Sequence, residues 1–394
     1  QMANLTVTAQ PADAAIRIDG RAAGTGRAQR QFPVAQRVTV QASRPGFADI
    51  QRSVVVEAGG SSLQLRLDPR PIEATVDVAP TPLVRALASD GQRAYGADQG
   101  GTVYAVDPAG TVAWSADTGN TSNENSMPVV SDGVVAFSGA AELVMLNASS
   151  GAVLSRSALS GSGSHLFGRR PVAWGNRWLL PSDEALTVLD AQGNPTGTTI
   201  PVPGGSKMTP AVVSGSVVIA DQQGQVLVID PSSGAVQATV PTGMSQPVAL
   251  APASDGARVF MVGRRGVATA VDIASGSQLW EQSLAGGRGA FVDPVVAGAT
   301  VFYYTRAEIV ALNTDDGSQR FVLTGAAGSP VALGGSVYYG TTAGELRRIN
   351  PATGAVTARL RMPAGIAGAP VAVGERLIVP LASGQAVVVH PAGM

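Results

Sequence analysis

The sequence predicts an all-β chain, an eight-bladed β-propeller preceded by a small β-sandwich domain. Three observations carry that prediction. Glycine and proline are abundant, 48 and 26 of 394 residues, as they must be where many short strands alternate with tight turns. Runs of four to six apolar, largely β-branched residues recur between those turn residues, and almost nothing shows the apolar period of a helix. Most decisively, one unit of about 40 residues repeats along most of the chain.

The first 70 residues stand apart from the repeats. Residues 5–10, 14–19, 36–42, 51–57 and 62–67 alternate apolar and polar side chains, with Gly or Pro between them. That alternation describes half-buried strands and predicts a β-sandwich over residues 1–70. Asp68-Pro69-Arg70-Pro71 then reads as a short stiff linker, because proline fixes its own φ and restricts its predecessor.

Residues 71–394 contain the repeat. Its first anchor is a proline followed by small apolar residues, at Pro82, Pro128, Pro171, Pro210, Pro247, Pro294, Pro330 and Pro370. Its second closes an apolar run, at Asp107, Asn147, Asp190, Asp230, Asp272, Asn313 and Asn350, with His390 in the eighth slot. The second anchors are spaced 40, 43, 40, 42, 41, 37 and 40 residues apart. Two independent anchors at one period predict eight blades.

The unit from Pro210 to Pro241 shows the physics of one blade. Ala211-Val212-Val213 is a short inner strand, turned by Ser214-Gly215-Ser216 into a second strand from Val217 to Ala220. After Gln222-Gln223-Gly224, the run Val226 to Asp230 is apolar on both faces, as a strand between stacked sheets must be. Pro231-Ser232-Ser233-Gly234 has the early Pro and final Gly of a tight turn, and Ala235 to Val240 is the outer strand. The eighth unit, Pro370 to His390, supplies only three strands. The alternating segment of residues 72–78 is expected to provide its fourth, which removes an exposed edge.

Composition excludes much chemistry. There is no Cys, so no disulfide scaffold, zinc–thiolate site, iron–sulfur cluster or cysteine nucleophile is possible. Two His, His165 and His390, do not make a His-rich metal site or a His-based triad. Net charge is −1, but residues 1–70 hold nine Arg against five acids while the rest hold 18 bases against 23 acids. Lys207 is the single lysine, a bias that reflects genome composition rather than function. No domain-wide basic excess or dense basic run points to nucleic acid. No apolar stretch approaches the ~20 residues of a membrane-spanning helix. Gln1-Met2-Ala3-Asn4 reads as a processed end, with which an anchor or export signal would have been removed.

At the repeats a resemblance appears. Asp107…Gly110…Trp114 and Asp272…Gly276…Trp280 resemble the repeat of the pyrroloquinoline-quinone-type (PQQ-like) propellers, roughly Ala-x-Asp-x-x-x-Gly-x-x-x-Trp. Asp230-Pro231-Ser232-Ser233-Gly234 and Asn350-Pro351-Ala352-Thr353-Gly354 match its turn, with Ala238 and Ala358 at the Trp position. The resemblance covers about residues 72–394 and includes the eight-bladed lipoprotein of the outer-membrane barrel-insertion machinery. In residues 1–70, Pro11 to Gly20, Arg44-Pro45-Gly46-Phe47, Val54-Val55-Val56-Glu57 and Leu63-Gln64-Leu65 resemble a PEGA domain, although the namesake tetrapeptide is absent. That resemblance implies a non-catalytic spacer or adhesion module of bacterial envelope proteins.

The quinone enzymes of the propeller family stack their cofactor on a Trp and a vicinal disulfide beside a calcium ion. This chain has no Cys and its repeats run back to back without the insertions that build such a pocket. The expectation is therefore no enzyme, no cofactor and no metal. Asn313-Thr314-Asp315-Asp316-Gly317 imitates the start of a calcium loop but is expected to be a repeat turn. His165 and the pair Asp183-Glu184 are expected to be polar loop residues.

Function is expected in the loops that enter each blade, since variable loops on a rigid scaffold carry recognition. Those loops hold Arg169, Arg170, Lys207 and Arg288, together with Met208, Met244, Phe291 and Met362. Cations beside adaptable Met and an aromatic would suit an extended peptide or an acidic protein segment. The whole is read as a non-enzymatic protein of the periplasmic or extracellular face of a bacterial envelope, a PEGA-like spacer carrying a protein-binding scaffold. The alternatives are a ligand-sensing ectodomain of a membrane receptor or kinase, an outer-membrane-protein assembly scaffold, and, least favoured, a quinone-dependent dehydrogenase. The basic first module is a second candidate surface, for cell-wall or membrane-surface anions; no nucleic-acid partner is expected.

Overall fold

A computed structural model describes residues 1–78, 87–121, 126–140, 142–159, 170–206, 208–244, 250–284, 292–306 and 308–394. The chain divides into two compact units, residues 1–74 with 389–394, and residues 75–388.

In the first unit seven strands form one hydrogen-bonded sheet: β1 (Met2–Gln10), β2 (Ala15–Ile18), β3 (Arg21–Thr25), β4 (Arg27–Pro33), β5 (Arg37–Ser43), β6 (Ile50–Val55) and β7 (Ser61–Arg66). Their order is β6-β5-β2-β3-β4-β1-β7, with β1 and β7 parallel. Alternation in β1 buries Ala3, Leu5, Val7 and Ala9, which meet Ile16, Ile18, Val38, Val40 and Leu65 in one core. β3 and β4 are absent from the sequence reading because their alternation is weak: Arg21–Thr25 buries no residue and Arg27–Pro33 only Ala28.

The last residues of the chain belong to this unit. His390 caps a 3-10 turn over Pro391–Gly393, its Nδ1 accepting from Ala392 N, while His390 N donates to Pro71 O at 2.8 Å. That turn sits on the Arg44–Phe47 segment. Gly46 has φ +79, and a Cβ there would stand 2.8 Å from Gly393 N, so only glycine permits the approach. Arg44 donates to Ala392 O at 3.3 Å while its guanidinium covers the Phe47 ring at 4.7 Å.

The second unit is a β-propeller of eight four-stranded antiparallel sheets. The first seven use consecutive strands; the eighth combines Val371–Val373, Arg376–Pro380 and Gln385–Val389 with β8 (Ile72–Asp77). The second and third strands are buried on both faces, as in Ser216–Ala220 and Val226–Ile229, because each sheet is covered by its neighbours. Blade 8 meets blade 1 directly, where Ser89 Oγ donates to Ala372 O at 2.7 Å and Gly374 N to Gly91 O at 2.8 Å.

Neighbouring blades are clasped through the turn between third and fourth strands. Trp114 of blade 1 lies over Gly151 of blade 2 and donates through Nε1 to Ala148 O at 2.9 Å. Trp280 of blade 5 does the same to Gly317 and Thr314 O of blade 6, also at 2.9 Å. Arg93 and Arg258 reinforce the same two junctions, donating to Ala148 O and Thr314 O at 3.1 and 3.0 Å. Phe321 lies over Gly354 of blade 7 in the same way, so a third aromatic serves where the repeat pattern names only tryptophan. Between blades 2 and 3 Ser155 Oγ donates to Gln192 O, so a small hydroxyl replaces the indole.

Candidate functional site

The candidate face is the end of the propeller where chains enter the innermost strands and where second and third strands are joined. Of the eight residues singled out there, Arg169, Lys207, Arg288 and Phe291 lie outside the described residues, as does His165. The other four are not on an open rim. Met208, Met244 and Met362 are buried; the first two belong to the core shared by Leu227, Val240 and Val259. Their thioethers fill gaps over the blades, the ordinary use of a flexible apolar side chain.

Arg170 is also buried, and it forms the most informative contact of this face. Its Nη2 donates to both carboxylate oxygens of Asp293, at 2.6 and 2.5 Å, with the two side chains 8% and 27% exposed. Arg170 enters blade 3 and Asp293 enters blade 6, so the pair ties non-adjacent blades together. Asp293 Oδ1 also accepts from Ala251 N of blade 5 at 2.9 Å, and Ser329 Oγ of blade 7 donates to Asp293 O at 3.0 Å. Arg170 N in turn donates to Thr209 Oγ1 of blade 4 at 3.3 Å. Five blades thus meet in one polar network.

Arg170, Thr209, Asp293 and Ser329 share a register: each immediately precedes the anchor proline of its repeat. Proline holds its predecessor extended and so aims these side chains alike. Arg170 and Asp293 are the two charged residues at that register, with opposite signs, and this was the available signal for Asp293.

The joining hairpins are built on acidic and hydroxyl acceptors. Asp98 Oδ1 accepts from Thr102 N and Asp221 Oδ1 from Gln223 N and Gln225 N, at 2.8–2.9 Å, while Thr341 Oγ1 accepts from Glu345 N at 3.1 Å. These acceptors satisfy turn amides, the usual role of such side chains. Asp183 and Glu184 are exposed at the tip of the blade 3 hairpin.

At the opposite end, the Asn313 to Gly317 segment is a turn. Gly317 N donates to Asn313 O at 3.0 Å, Asp316 accepts from Ser318 N, and Asp315 is paired with Arg258 at 2.7 Å. Among the described residues no group of three or more His, Asp or Glu is placed to hold a metal ion. No described helix is long and apolar enough to cross a membrane.

BamB from Moraxella catarrhalis has a similar structure, with a TM-score of 0.63 at 17% identity over 80% of this chain and 98% of that one. The computationally designed Ika8 protein is as close in fold, with a TM-score of 0.62 at 14% identity over 81% and 99% of the two chains. At these identities the likeness speaks for the propeller fold. No curated protein matches the sequence. A family model described as outer membrane protein assembly factor BamB matches residues 99–268 and 264–393, most of the propeller and well over half of the chain, and the chain therefore belongs to that family.

Proposed function

We propose that this is a non-enzymatic protein of the bacterial envelope whose propeller serves as a protein-interaction scaffold, with residues 1–70 as a PEGA-like spacer. The observation that carries the reading is the family membership, joined to a ring in which the entering segments of five blades are tied into one network. A face held in this way loses little freedom on binding, which is how a preformed surface gains affinity. Within that reading, outer-membrane-protein assembly is the specific role we favour, because the family's description names it. The periplasmic side of the envelope is the corresponding location. The exposed arginines of the first unit, among them Arg21, Arg37 and Arg66, provide a second surface for cell-wall or membrane anions.

The test is capture from a detergent-solubilised envelope fraction on the immobilised chain, followed by protein identification. Outer-membrane β-barrel proteins or their assembly components are expected to be enriched over a bait of matched charge; equal recovery on both refutes the scaffold reading. Adding calcium and pyrroloquinoline quinone is expected to leave Tm unchanged, and a saturable rise would return the enzyme reading.

A further inference from the structure

The hairpin end of the propeller is divided by charge. In blades 1–4 this end exposes the acidic pair Asp183 and Glu184, while Glu142 is paired with Arg156 at 2.9 Å and Asp98 and Asp221 are buried as turn acceptors. In blades 5 and 6 the equivalent hairpins carry Arg264, Arg265 and Arg306, all exposed. Blade 7 continues the basic sector on its two outer strands, Glu345–Ile349 and Val356–Arg361. There the register sets Arg347 opposite Arg359 and Glu345 opposite Arg361. Among the described residues at this end of blades 5–7, Arg264, Arg265, Arg306, Arg347, Arg359 and Arg361 stand against Glu281, Glu308 and Glu345.

Two details make this more than a solvated rim. Like charges directly opposed across a strand pair cost stability, and Arg347–Arg359 is such a pair. Glu345 accepts from Arg347 Nε and Nη2 at 3.0 and 2.8 Å, so a single carboxylate serves the guanidinium groups of Arg347, Arg359 and Arg361. Arg264 and Arg265 are consecutive at a tight turn around Gly266, whose N donates to Gly263 O at 3.0 Å. Their guanidinium groups are presented on short, rigid backbone rather than on a long loop.

We infer that the hairpin end of blades 5–7 is a docking surface for an acidic segment of a partner protein, with Arg264, Arg265, Arg359 and Arg361 making the contacts. The inference rests on the scaffold reading and names the face and the chemistry of its partner. Guanidinium groups match carboxylates in planar, two-pronged geometry, and they are less strongly hydrated than ammonium groups. A flat anionic membrane fits the face poorly, because Asp183 and Glu184 stand exposed on the same end of the ring. A protein segment lying along one sector avoids them.

The probe is a fluorescein-labelled peptide of alternating Glu and Ser, titrated by anisotropy with the full chain. Binding that weakens with added salt is expected. R264E/R265E and R359E/R361E are each expected to weaken it by about tenfold or more, whereas R177E, exposed at the opposite end of blade 3, leaves it unchanged. The milder R264Q/R265Q, with an unaltered Tm, is expected to lose several-fold. Equal affinity in wild type and R264E/R265E overturns the inference. So does co-sedimentation with phosphatidylglycerol vesicles that R264E/R265E abolishes, which would assign the patch to a membrane. In the envelope capture, partners held equally by wild type and R264E/R265E overturn this inference and leave the scaffold reading standing. Absence of partners on the wild type removes the scaffold reading itself, and the inference with it.

Discussion

Replacing Arg170 by Met should loosen the whole ring rather than one blade. The substitution keeps most of the volume and removes the charge that faces Asp293 at 2.5 Å. In a medium of effective dielectric ~20, two charges about 3 Å apart attract by roughly 5 kcal/mol, and desolvation cancels a large part of it. Loss of one partner of a buried pair costs about 3–5 kcal/mol. Asp293 is 27% exposed and keeps its bond from Ala251 N, so some of that loss is recovered through water. R170M is therefore expected to destabilise the propeller by about 2–3 kcal/mol, which at ~2.1 cal/mol/K of unfolding entropy per residue is a fall of about 4 °C in Tm. D293N, which retains an acceptor for Ala251 N, should cost less. The assay is urea unfolding followed by tryptophan fluorescence for wild type, both single variants and the double. A coupling of about 1–2 kcal/mol is expected, little changed between low and high salt because the pair is sheltered. Effects that add within about 0.5 kcal/mol would show that the two side chains do not act as a pair and would refute the cross-ring tie.

The remaining predictions concern the blade junctions and the turns. Gly151 has φ +73, and a Cβ there would lie 2.5 Å from Trp114 Cε3, whereas Gly133, at φ +75, has open space around it. G151A should therefore lose about 2–4 kcal/mol and G133A only about 1–2, measured by urea midpoints; equal losses would refute the aromatic clasp. The Asp230 carboxyl is held below its ordinary value by Ser232 N, followed by the Ser233 hydroxyl. A carboxylate lowered in the folded state adds stability above its unfolded pKa of 3.8, and that contribution is lost as pH falls through the lower folded value. Wild type should thus lose urea resistance on acidification below about pH 4 more steeply than D230N, whose amide oxygen keeps the turn acceptor; parallel pH profiles would refute that assignment.

The repeat was legible because its causes are local. Val226 to Asp230 reads as a buried strand from its own residues, and Pro231 to Gly234 reads as its turn, so periodic anchors were enough to count blades. The tryptophan clasp was half legible: Trp114 and Trp280 stand out, but Phe321 and Ser155 at the equivalent positions of other junctions do not. What they satisfy is a carbonyl or a glycine of the next blade, and that partner lies outside their own repeat. The candidate face was least legible. Met208, Met244 and Met362 sit among polar and glycine residues that describe a solvated loop, yet all three are buried, Met208 and Met244 within the core of the blades.

By itself the sequence determined the class and the period, because strand, turn and chain length are set within about forty residues, and it ruled out cysteine chemistry by composition. Tertiary structure alone decided the pairing of Arg170 with Asp293, 123 residues apart, and the docking of Pro391–Gly393 on Gly46. It also decided the division of the hairpin end into acidic and basic sectors. Charges scattered at multiples of about forty residues reveal at most a shared register and not which of them meet; closing the ring brings those of one register to one end, where they act on a partner together.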